Sequence, residues 1–146
     1  MNPAGSHSEA LLHELTYYTL GHPDLSYFIH QHVVDAYNVQ HADENTSPIG
    51  IYFSLAGLYL FLENGYTGRQ VQKAHMHIAM HKKPWPKITL PAYRGDITVA
   101  DVVQSLPGPE RDQKIKDWCK SVWEACGPVQ EEIRVWAKTE LRDFSL

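Results

Sequence analysis

From Ile49 to Leu62 the chain is apolar at nearly every position. A helix that is apolar almost all round is surrounded by other elements, so a buried central helix is expected over 49–63, with Asn64-Gly65 as its stop signal. The run is 14 residues long and includes Gly50, Ser54, Gly57, Tyr52 and Tyr59. A bilayer span needs about 20 apolar residues, so a core helix is expected and no membrane partner.

On either side the apolar positions recur with helical period. Residues 6–20 place Leu11, Leu12, Leu15 and Tyr18 on one side, with Ser6 and Glu9 spaced as a capping box. Residues 1–5 are expected to be disordered. A second helix is predicted to open at Pro23 or Asp24 and run to His41, with Leu25, Phe28, Ile29, Val33 and Ala36 filling one stripe. Thr67 is a good N-cap for a fourth helix reaching Lys82, with Val71, Ala74, His75 and Ile78 on one face. Pro84-Trp85-Pro86 forbids its continuation, and 84–97 reads as a long ordered loop, a kind of segment that tends to carry function. A short helix over 98–106, one ending at Cys126 and a last one from Val129 to Phe144 complete the pattern. The fold class is therefore all-α: one domain over 1–146, a helical bundle with a four-helix core and a C-terminal helical pair.

Composition narrows the function. Thirteen Lys and Arg against 17 Asp and Glu give a net charge of −4, and no basic block stands out, so nucleic acid is not an expected partner. Cys119 and Cys126 lie roughly 10 Å apart along a helix, too far for a disulfide, and are read as reduced core thiols that suit a cytoplasmic protein. The N-terminal residues show no signal peptide. No nucleophile elbow, phosphate-cradling loop or dinucleotide fingerprint is present.

What the chain has in excess is histidine. Nine occur, six of them in His30-Gln-His32 through His41 and in His75-Met-His77-Ile-Ala-Met-His81. Imidazole is the commonest metal ligand and titrates near neutral pH. If the first four helices alternate in direction, His30, Glu63 and His75 reach one level from three different helices. Two His and one carboxylate form a recurrent ligand set for a catalytic divalent transition metal such as zinc, nickel or iron. His41, His77 and His81 are secondary candidates, the last two as an i,i+4 pair. Asp35 and Gln40 would orient imidazoles from behind. Tyr37 and His41 are the candidates for proton transfer. His32 falls on the core stripe, with Asp35 at i+3 to orient it, and His7, His13 and His22 are expected on the surface.

The words His30-x4-Asp35-Ala-Tyr37-x2-Gln40-His41, Gly65-Tyr-Thr-Gly-Arg-x-Val-x-x-Ala-His75 and Ile97-Thr-Val-x-Asp101-Val resemble those of a bacterial family of small proteins known only as a domain of unknown function. The resemblance spans about residues 25 to 125, implies a compact helical domain, and brings no established activity. A looser likeness is to helical bundles that hold a metal with three histidines, of which only the His77-x3-His81 spacing is present.

The leading expectation is a metal-binding helical protein with a His-rich pocket, assisting hydrolysis of a small substrate through a metal-bound water. The rival is a metal-free module whose histidines and tyrosines line a small-ligand pocket or a homodimer surface, and a third reading is acid–base catalysis by His30 or His41 without metal.

Overall fold

The computed structural model describes residues 3–21 and 27–146, with the backbone alone for residues 3–6. It is all-helical: α1 (Pro3–Leu20), α2 (His30–Gln40), α3 (Pro48–Asn64), α4 (Gly68–Ala79), α5 (Val99–Gln104), α6 (Pro109–Ala125) and α7 (Gly127–Glu140). No strand occurs among the described residues.

The middle of the bundle is α3, whose Leu55, Ala56 and Leu58 are wholly buried. It starts where Ser47 Oγ accepts from the Gly50 amide and Pro48 opens the first turn, and it stops at Gly65, whose φ of 68° needs no Cβ penalty. Helix α4 follows at once behind a full capping box, in which Thr67 and Gln70 satisfy one another's backbone amides. Helices α2, α4, α6 and α7 all pack on α3, while α1 packs on α2 and α5. The C-terminal pair thus closes the core, with Trp118, Cys119, Val122, Ile133 and Ala137 at zero exposure.

Several boundaries differ from the sequence pattern. Helix α1 begins at Pro3, so Ser6 and Glu9 lie within it and not at its start. Met1 and Asn2, part of the segment expected to be disordered, lie outside the described residues, as do Pro23, Asp24 and Leu25, where a helix start was expected, and His22. Helix α2 starts only at His30, because Phe28 has φ = 53°, a left-handed conformation through which no α-helix continues. The turn is held from the other side: the Gly68 amide donates to the Tyr27 carbonyl at 2.6 Å, and a Cβ on Gly68 would sit 1.8 Å from the Phe28 oxygen.

Helix α4 ends at Ala79, short of the expected Lys82, and the segment 84–97 has no regular structure, as expected, yet it is tied down at both ends. Trp85 packs among Tyr52, Phe53 and Trp136, with ring centroids 5.5 to 5.7 Å away. Further on, Arg94 Nε donates to the Pro91 carbonyl, and its Nη1 donates to the Val39 and Ala42 carbonyls at the end of α2. A cation on those carbonyls also meets the negative end of the helix dipole.

Candidate functional site

The expected trio His30, Glu63 and His75 does not share a centre. His75 sits in the third turn of α4, where Nε2 donates to the Phe53 carbonyl at 2.8 Å and the ring meets the Phe53 ring edge-on. Phe53 and Glu63 are ten residues apart on α3, about 15 Å at helical rise. His75 is therefore level with the first half of α3 and not with its end. Glu63 instead accepts from Arg134 at 2.9 and 2.8 Å and from Trp123 Nε1 at 2.8 Å, joining α3 to α6 and α7. The Arg134 hydrogen bonds hold its carboxyl below the usual range. His30 is the first residue of α2, and its Nδ1 lies 2.8 Å from Thr19 Oγ1. The counting that placed it six residues into a helix fails because that helix begins at His30.

Among the described residues, no group of three or more His, Cys, Asp or Glu side chains could hold a metal ion. His77 and His81 do approach one another, with ring centroids 6.0 Å apart, and His77 rests on Phe144 at 5.2 Å.

The residues expected to orient imidazoles do other work. Gln40 donates to the Ile97 carbonyl at 2.7 Å and the Arg94 carbonyl at 3.3 Å, and accepts from Trp118 Nε1 at 2.9 Å, so it anchors the long loop to α2 and α6. Asp35 is buried, takes one hydrogen bond from Gln31, and leaves Oδ2 unpartnered against Gly57. Burial raises its pKa well above the ordinary carboxylate value. It does not orient His32, whose two ring nitrogens have no partner and whose ring stacks on Phe61 at 3.6 Å. Burial pushes the His32 pKa down to about 3 and that of His75 to about 4, so both are neutral at physiological pH. Cys119 lies beside His32 and Asp35, its thiol donating to the His32 carbonyl. Burial, and then the Asp35 charge, raise its pKa.

One expected proton-transfer pair does come together. His41 caps α2 and stacks on Tyr37, with centroids 4.1 Å apart and planes 24° from parallel. Its imidazole is exposed and makes no hydrogen bond to the described residues. Partial burial and then the Arg94 charge lower its pKa. Burial, and then the charge of Glu9, raise that of Tyr37. His41 opens into a cleft of about 400 Å³ between α1, the end of α2 and the loop before α5, where His7, Leu11, Tyr93, Arg94 and Thr98 also face. That volume lies in the range of small-molecule sites. Arg94 is not among the residues the sequence pattern singles out. A lone arginine in a Pro-rich loop carries no periodic signal of what it will face.

Fold and site together define a small all-α bundle with a half-open, His-bearing cleft and no strand among its described residues. The chain belongs to the family of unknown function DUF5946, whose model matches residues 5–127. Neither the curated proteins nor the solved structures provide a match. No helix among the described residues is long and apolar enough to cross a membrane.

Proposed function

We propose that this protein binds a small molecule in the cleft between α1, the C-terminal end of α2 and the 92–100 segment, with His41 as its hydrogen-bonding anchor. One observation carries the reading. The His41 imidazole is fixed in direction by its stack on Tyr37, yet neither ring nitrogen has a hydrogen-bond partner among the described residues where it opens into the cleft. The lowered pKa keeps that ring neutral at physiological pH, so one nitrogen can accept and the other donate. The cleft floor is rigid because Gln40 and Arg94 hold the loop to α2, which limits the ordering cost of binding.

A nuclear magnetic resonance fragment screen tests this. Amide shifts should cluster at His7, His41, Ala92, Thr98 and Ala100, and Ala100→Trp, which fills the cleft from the start of α5, should abolish them while leaving the remaining spectrum folded. Hits scattered over other surfaces, or hits insensitive to Ala100→Trp, would count against the cleft.

A further inference from the structure

Taking the cleft reading as its basis, we infer that the ligand is a small organic acid: a carboxylate held at the His41 and Arg94 side with its apolar body against Leu11, Val99 and Ala100. The charge around the cleft departs from the charge of the whole. The chain carries −4 overall, yet no Asp or Glu lines this cleft among the described residues, and its titratable lining is His7, His41, Tyr93 and Arg94. Two other surface recesses carry acidic residues, Asp43 and Glu44 in one, which Arg94 lines from its other side, and Asp101 and Glu110 in the other.

Of the carboxylates in this region, Asp101 accepts from the Thr98 amide, Asp96 bears on Tyr93 and raises its pKa, and the charge of Glu9 raises that of Tyr37. Arg94 spends Nε and Nη1 on three carbonyls, which fixes its guanidinium in place, while Nη2 makes no hydrogen bond to the described residues. A fixed guanidinium edge with a neighbouring imidazole is a donor set for a carboxylate, and charge-assisted hydrogen bonds of this kind are the stronger ones. The aliphatic part of the lining, Leu11, Ala92, Val99 and Ala100, has no use for a bare inorganic anion, and so favours an acid with a hydrocarbon body.

Binding an anion next to His41 favours its protonated form, so the acid and a proton should bind together. The groups around His41 are Tyr37 stacked on it from α2, His7 from α1, and Tyr93 and Arg94 from the loop, with Glu9 acting on Tyr37 and Asp96 on Tyr93.

The test uses the full chain with 13C-labelled histidine and four probes: hexanoate and benzoate, set against hexanamide and benzamide. The inference expects both acids to shift the His41 and His7 ring signals, to bind about tenfold or more tightly than their amides, a difference of 1.4 kcal/mol, and to raise the midpoint of the His41 titration. His41→Gln should weaken the acids while leaving their ring contacts at Val99 and Ala100. Because Arg94→Ala removes a helix cap and could unfold the loop, Arg94→Lys serves beside it, keeping the charge but losing the planar edge, and should also weaken the acids. Amides binding in the cleft as well as acids would overturn the organic-acid class and leave the cleft standing. No shift of any cleft residue with any of the four probes would overturn both.

Discussion

Asp35 and Gly57 show what a single missing Cβ can do. The carboxyl of Asp35 occupies the space a side chain on Gly57 would take, its Oδ2 only 1.9 Å from the position of such a Cβ. Gly57→Ala should therefore cost on the order of 3 kcal/mol through overpacking. Asp35→Ala in the same chain should recover much of it, a non-additivity that urea midpoints of the four variants would reveal. The pair was half legible. Glycine within an apolar helix signals a close approach, but nothing in the pattern says that a carboxyl makes it. His32 was correctly placed in the core from its stripe. Its partnerless ring was not foreseeable, since i+3 spacing brings Asp35 near in sequence while burial turns it toward α3.

At the level of helices and loops, hydrophobic period together with capping signals located the seven helices of the described residues, because a helix that buries a face carries that period. The start of α2 escaped it. Phe28 and Ile29 continue an apolar stripe, but the left-handed turn at Phe28 depends on the close approach of Gly68, a contact from 40 positions away that local pattern does not carry. Misplacing that start misplaced His30, while Glu63 and His75 parted for a separate reason, His75 meeting Phe53 in the first half of α3 and Glu63 turning to Arg134. The loop was recognised as ordered from its prolines, and its anchoring by Gln40 explains why. Gln40→Ala should leave the Trp118 indole and the Ile97 carbonyl unsatisfied, at a cost of about 2 kcal/mol. Hydrogen exchange should show amides of 93–99 exchanging faster while α3 and α4 keep their protection. Unchanged protection in the loop would mean that Arg94 alone holds it.

For the molecule as a whole, two neutral imidazoles in the interior make acid the weak direction. His32 and His75 have folded values of about 3 and about 4 against 6.5 in the unfolded chain. The folded state thus binds fewer protons, and the stability these groups protect is whole above pH 6.5 and is lost as pH falls through 4 and then 3. At 1.36 kcal/mol per unit the His75 share is roughly 3 kcal/mol, a large part of the 5–15 kcal/mol typical of a domain. Asp35 works in the opposite sense: its value is raised, so its contribution is present at low pH and fades as pH rises from about 3.8 through its folded value. Thermal melts from pH 8 to pH 4 should show the melting temperature falling below pH 6.5, and His32→Phe should flatten the lower end of that curve. Equal slopes for the two proteins would mean that His32 is not the group responsible.

Helix α7 starts at the last residue that the family match covers, yet it covers one flank of the most apolar helix in the chain. Tyr52 bonds Glu132 and packs on Trp136, and Glu63 is clasped by Arg134. A chain cut at residue 127 would keep every residue of the Gln40-His41 word and the whole cleft lining, but it would bare Tyr52 and leave Trp123 and Glu63 without their cover. Such a fragment would be insoluble before it was inactive, so expression trials that trim this protein to the matched portion should be expected to yield inclusion bodies, and a soluble yield requires carrying the last helix along.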